Sequence, residues 1–400
     1  MALCLAVGAC KSPSSPKTVG PTPKSIVNLP AQVTMGRGGY FPLRGRVLDS
    51  TDAPIAGAVP TYTPTDPGLL GIGPGAFLHS LGPLGSTLLI AAYSNGVTRV
   101  ADTVAVTVDA FSSPSGTVVD SLGTPSGVFG VAASTSRVYV STLIGGGPLL
   151  RLDLPVQSFD SPIGHVGAGL AVAFNPVGNT AFVAVFDQDS VAIVNATANS
   201  LDSYVTTHIL GTPRDVIVSP DGQRVYVATD YTQIYVINAT SKSVIDSVYV
   251  PGLPNHFTFH PSKPLLYVSL DNAQVAEINT DSGKAVRFFH TGSLNQGTAV
   301  APDGGELYNV TENNELFVYD LTSGNLVADV HGLGGYGLVA SPDGKRLYVA
   351  GGPNVKIVDR LTRTLVDSSV VGGAARRITL SRDGGTAFVT NEAGWVNIIY

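Results

Sequence analysis

The string SPDGQRVYVAT at residues 219–229 decides the fold, because it reads as a tight turn feeding a strand. Pro presets φ for the turn, Asp bonds back to its own backbone, Gly accepts positive φ, and RVYVAT alternates around a central aromatic. Related strings recur at 134–142 (STSRVYVST), 175–185 (NPVGNTAFVAV), 260–270 (HPSKPLLYVSL), 301–311 (APDGGELYNVT), 341–351 (SPDGKRLYVAG) and 381–391 (SRDGGTAFVTN). Pro176, Pro220, Pro261, Pro302 and Pro342 are spaced 44, 41, 41 and 40 residues apart. A period near 40 marks a stack of supersecondary units.

An apolar-alternating strand precedes each turn. A third strand (233–238, 315–320, 355–359) and a fourth (243–248, 364–370) complete a four-stranded unit. One such sheet cannot bury both faces, whereas several packed face to face around an axis can, which predicts an all-β chain built as a seven-bladed β-propeller. The seventh copy stops at Tyr400 after its third strand. TVVDSLG at 117–123 matches the fourth-strand strings SVIDSV (243–248) and TLVDSSV (364–370). Strand 116–122 is therefore expected to supply the missing outer strand and close the propeller at 112–400, which hides free edges.

Outside the array, composition excludes several classes. Charged residues are only 13% of the 400, about half the usual share, and Gly (46) with Pro (27) favours short strands and turns. A net charge of -6 with no basic stripe excludes nucleic acid as a partner. No run of about 18 apolar residues exists to span a bilayer as a helix. Cys4 and Cys10 are the chain's two cysteines, so a disulfide-stapled core, a Cys-rich zinc site and a haem attachment are all excluded. Residues 25–108 alternate in short runs (44–48, 88–93, 103–108) between Gly, Pro and Asp clusters, which predicts a small antiparallel sandwich without a catalytic set.

Three resemblances add to this reading. The repeat strings, closest to their namesake at RVYVAT (224–229) and TAFVTN (386–391), resemble the YVTN-family propeller repeats, also seen in lactonase-like and quinoprotein-like propellers. That family implies the fold over about 116–400 and no single activity. VLDSTDAPIAGAVPTYTPTDPG at 47–68 resembles bacterial immunoglobulin-like (Big) domains, with Tyr62 where that family has Trp. It implies an Ig-like spacer or adhesive module. LAVGAC at 5–10 resembles the lipobox of bacterial lipoproteins, although no Lys or Arg precedes it. It implies a signal at 1–10, acylation of Cys10 and a flexible tether at 11–24, KSPSSPKTVGPTPK, too poor in apolar surface to fold. Lys11 stands where some families carry an inner-membrane retention Asp, so the resemblance implies the outer membrane.

What recurs in every copy is scaffold, so function belongs to residues that break the repeat. Tyr139, Tyr226, Tyr267, Tyr308 and Tyr348 share one repeat position and are expected to pack. The turns fall on one face, and the starts of the first strands fall on the other, at the channel mouth. Counting back five and six positions from each repeat proline gives Phe129/Gly130, Leu170/Ala171, Arg214/Asp215, Asn255/His256, Gln296/Gly297, Tyr336/Gly337 and Arg376/Arg377. The polar arc Arg214, Asp215, Asn255, His256, Gln296, Arg376 and Arg377 is the candidate binding site for an anionic or polar ligand, with arginines as bidentate donors. Asp187, Asp189, Asp230, Asp271, Glu312 and Glu392 recur on the same face, but singly or in pairs and in no calcium-loop pattern, so a solvated rim and no metal are expected. His256 and His260 are about 13 Å apart on an extended strand and cannot share a metal. No nucleophile elbow, catalytic triad or phosphate loop is present, so no catalytic residue and no cofactor are expected.

The leading expectation is a non-enzymatic, lipid-anchored protein of the bacterial cell envelope, periplasmic or surface facing. Its propeller would bind an envelope protein, a glycan or a small polar or anionic ligand. One alternative is a lactonase-like or quinoprotein-like enzyme with His256 and Asp215 as acid/base candidates beside Arg214 and Arg377. Another is surface adhesion or assembly through the Ig-like domain.

Overall fold

The computed structural model describes residues 20–400 except 117, 126, 156, 157 and 207. Cys10, the expected signal at 1–10 and the tether up to residue 19 lie outside the described residues. The described chain is all-β. Its one helical element is a single 3-10 turn at Pro74–Ala76, and no helix is long and apolar enough to cross a membrane.

The repeat array forms many small antiparallel sheets. Five four-stranded sheets follow one another in sequence order, over residues 128–163, 169–205, 213–249, 254–290 and 295–331. In the third, Pro213–Val218, Arg224–Thr229, Gln233–Asn238 and Ser243–Tyr249 lie side by side in that order. A final six-stranded sheet runs Val118–Gly123, Trp395–Ile399, Ala387–Asn391, Thr364–Leu380, Arg346–Asp359, Gly337–Ala340. The separate strands expected at 355–359 and 364–370 are thus parts of two long ones. Gly352, at φ 56°, turns the corner and pairs with Ala375, and the register slips before pairing resumes at Asn354 and Val370.

The first strand of each sheet lies against the first strand of the next, and Thr364–Leu380 of the last sheet lies back against Val128–Ala133 of the first. Apolar faces fill the spaces between. Phe182 and Ile193 of the second sheet pack with Val216 and Tyr235 of the third, and Tyr226 of the third with Phe257 and Leu266 of the fourth. Val138 and Leu152 of the first sheet pack with Phe388 and Ile398 of the last. The repeated tyrosines Tyr139, Tyr267, Tyr308 and Tyr348 are fully buried, as packing aromatics should be.

The Ser-Pro-Asp-Gly turn strings share one chemistry. Ser219 Oγ donates to Asp221 Oδ1 (2.5 Å) and accepts from Arg224 N (2.9 Å), while Gly222 sits at φ 72°. Ser341, Asp343 and Arg346 repeat the pattern. His260, standing where those copies have Ser, keeps the role: its Nδ1 accepts from Ser262 N and Lys263 N at 3.1 Å each.

The N-terminal region holds three small sheets. Pro23–Val27 pairs with Arg46–Asp49, Tyr40–Pro42 joins Phe77–Ser80 and Leu70–Gly73, and the largest runs Gln32–Gly36, Arg99–Asp109, Gly85–Ser94, Thr61–Pro64. The expectation of a wholly antiparallel arrangement is corrected: Gln32–Gly36 runs parallel to Arg99–Asp109. The intervening strands form the crossover a parallel pair needs, and the pairing buries Val33 and Met35 against Val104 and Val106. Tyr62 Oη accepts from Gly45 N at 3.1 Å. This region seats on the turn end of the array. Ser112 bridges Gly36 N and Asp383 O, Phe41 meets Tyr400 edge-on at 6.1 Å, and Phe77 joins the Val128–Phe388 core.

Candidate functional site

The site is built by an irregularity that recurs at the start of the first strands. In six of the seven copies the ladder slips there: Val128/Val131, Gly169/Ala171, Pro213/Asp215, Pro254/His256, Asn295/Thr298 and Ala375/Ile378. A bulge re-aims a side chain, so two neighbouring residues can face the same side instead of alternating. Phe129, Leu170, Arg214, Asn255, Gln296, Tyr336 and Arg376, one from each copy, line a cavity of about 360 Å³ together with Phe186, Thr212, Asp230 and Arg377. Asp215, His256 and Arg377 line a second of about 180 Å³, with Gly130 and Ala171. Arg377 lines both, so the two adjoin. All seven candidate residues therefore gather in one place, five at the first cavity and the Asp215–His256 pair at the second.

Most of the polar groups are already spent on one another. Asn255 Nδ2 donates to Asn295 O (3.0 Å) and Gln296 Oε1 (3.2 Å), and Gln296 Nε2 donates to Glu312 Oε1 (2.6 Å). Arg376 is neutralised by Glu392, with Nε–Oε1 2.8 Å and Nη2–Oε2 3.0 Å, and its guanidinium stacks 4.0 Å over the Tyr336 ring. Arg377 lies 3.9 Å from Asp215 Oδ1 and 5.7 Å over Phe129, and its side chain makes no hydrogen bond among the described residues. Arg214, exposed, has neither ion pair nor hydrogen bond among them.

In the inner cavity, Asp215 is buried and accepts from Phe257 N (2.9 Å). Burial pushes its carboxyl above the ordinary carboxylate range, against the pull of Arg377. Removal from bulk water, with Arg377 adding to it, holds His256 well below 6.5 and so uncharged. Its Nδ1 accepts from Thr298 N (3.3 Å), which places the remaining proton on Nε2.

The loop acids have structural work. Asp187 accepts from Ala168 N and Gly146 N, Asp230 from Thr212 N and Asp271 from Leu253 N, each fastening its loop to the backbone that leads into a first strand.

No family model and no curated protein matches this chain. Among solved structures, the hydrazine synthase of Kuenenia stuttgartiensis is similar in fold, with a TM-score of 0.62 over 68% of this chain and 96% of that one. The two share a fold. At 21% identity the likeness says nothing of chemistry, but this all-β array of many small sheets fits a β-propeller.

Three lining residues escaped the count-back. Thr212, Phe186 and Asp230 are absent from the strand-start positions, Asp230 having been named only as a loop acid, yet Phe186 carried a signal. It occupies the place after the second strand where other copies have Asp230, Asp271, Glu312 and Glu392, so it breaks the repeat there.

Proposed function

We propose that the chain is a non-enzymatic binding protein of the bacterial cell envelope, whose seven-bladed β-propeller holds an anionic ligand at its channel mouth. The observation that carries this is the convergence of one residue per repeat copy on a single cavity where Arg214 and Arg377 keep unspent donors. The pairing of Val118–Gly123 with Trp395–Ile399 and the packing of the last sheet on the first support a closed ring. An Ig-like spacer at 25–108 and acylation of Cys10, with outer-membrane localisation, complete the proposal and rest on sequence resemblance.

The lactonase-like alternative is weaker on chemical grounds. A general base needs a free acceptor nitrogen, and the acceptor of His256 is taken by Thr298 N. Measured turnover of a sugar lactone would reinstate it. Self-association of the full chain on a sizing column would favour adhesion instead.

The test is calorimetry of small anions on the whole protein and on the Arg214→Ala/Arg377→Ala double variant. Charge-assisted hydrogen bonds contribute about 1.5–3 kcal/mol each, so the double substitution should weaken binding by at least about 100-fold. Unchanged affinity ends the proposal.

A further inference from the structure

The wall of the mouth cavity is divided by chemistry, which bears on what the anion carries with it. This inference rests on the anion-binding reading above. Phe129, Leu170, Phe186 and Tyr336 are half-buried and supply an apolar wall from the first, second and sixth copies. The third, fourth, fifth and seventh copies supply the polar wall. There the amides of Asn255 and Gln296 are tied to each other and to Glu312, and Thr212 Oγ1 donates to Asp189 Oδ1 (3.1 Å). A polyhydroxylated ligand needs many free donors and acceptors at fixed spacing, and this wall has used most of its own. Its charge is equally restricted: Arg376 is offset by Glu392, Arg377 faces Asp215, and Asp230, held by Thr212 N, adds a carboxylate to the same lining, which leaves Arg214 as the cation without an ion pair among the described residues.

We infer that the cavity takes a monoanionic carboxylate with a compact apolar body, its head on Arg214 and Arg377 and its aliphatic or aromatic part against Phe129, Leu170 and Phe186. The volume of about 360 Å³ equals roughly a dozen waters at liquid density. A six-carbon chain or a single ring with its carboxylate fits within it, with room for a few waters. Apolar burial then sets selectivity, each buried methylene tightening binding by about fourfold.

Calorimetry of the full chain against acetate, hexanoate, phenylacetate, glucuronate and inorganic phosphate tests this, with hexanamide as the uncharged control. Hexanoate and phenylacetate should bind at least tenfold more tightly than acetate, glucuronate or phosphate, and hexanamide should not bind measurably. Phe186→Ser and Leu170→Ser, both at cavity-facing positions outside the packed cores, should erase the preference for hexanoate over acetate in a protein that still unfolds cooperatively. Equal affinity for acetate, glucuronate and hexanoate overturns the amphipathic inference while the anion reading stands. Hexanamide binding as well as hexanoate, or no binding by any of these anions, overturns both.

Discussion

The two ends of each repeat unit obey different rules. At the turn end the same groups recur in several copies, so Ser219–Asp221 and Ser341–Asp343 make the same hydrogen bonds, and His260 performs the serine's task in another. At the mouth end the backbone irregularity recurs and the side chains do not: the slipped ladder presents Gly130 and Ala171 in two copies but Asp215, His256 and Arg377 in three others. The bulge is common property of the scaffold, and what it displays is individual. A repeat protein can thus vary a site without touching the packing that holds it.

That contrast can be attacked from the scaffold side first. Tyr308 is fully buried among Val310, Leu338 and Leu347, and truncation of a buried aromatic costs about 3–5 kcal/mol. Tyr308→Ala should therefore lower the denaturation midpoint severely, and a variant as stable as the parent would mean the repeat tyrosines are not the packing element. A smaller effect is expected at the turn. Ser341→Ala removes the hydroxyl that joins Asp343 to Arg346 N and should destabilise by about 1 kcal/mol in urea unfolding; a neutral result would separate the recurrence of the turn sequence from its hydrogen bonds.

The subtlest effect belongs to the mouth. His256 is held well below 6.5 in the folded protein by burial and by Arg377, with Asp215 the acid of the same cavity. Below pH 6.5 the unfolded chain takes up a proton there and the folded chain does not, so stability falls as pH falls, by at most about 1.4 kcal/mol per pH unit for this one group. His79 and His260, also lowered by burial, act in the same direction. His256→Asn should make the fall between pH 6.5 and 5 shallower without abolishing it. An unaltered slope would place His256 among ordinary, solvated histidines.

Much of this was legible in the sequence, and for a physical reason. Pro, Gly and alternation are local constraints, so the strands at Gln233–Asn238 and Glu315–Asp320 stand in the structure where the string predicts them. Counting back from Pro220 or Pro261 finds Arg214 and Asn255 because each strand has a fixed length. Pairings across sheets were not legible. Nothing local announces that Arg376 meets Glu392 or that Arg377 faces Asp215. In the N-terminal region, the strands Leu70–Gly73 and Phe77–Ser80 lie in a Gly/Pro-rich stretch whose short runs carry little period, and the parallel pairing of Gln32–Gly36 depends on residues some 70 positions away.

The hydrogen-bonded union of Val118–Gly123 with Trp395–Ile399 has a temporal side. During synthesis the first of these strands leaves the ribosome roughly 270 residues before its mate, an interval of about 15–50 s at 5–20 residues per second. Throughout that interval it is an unmated edge, open to any other nascent chain. The N-terminal sheets, completed earlier still, already offer Tyr40, Phe41 and Phe77 to the core that Leu122 later shares with Tyr400. Their rings are thus translated long before the strand that brings Tyr400 to meet them.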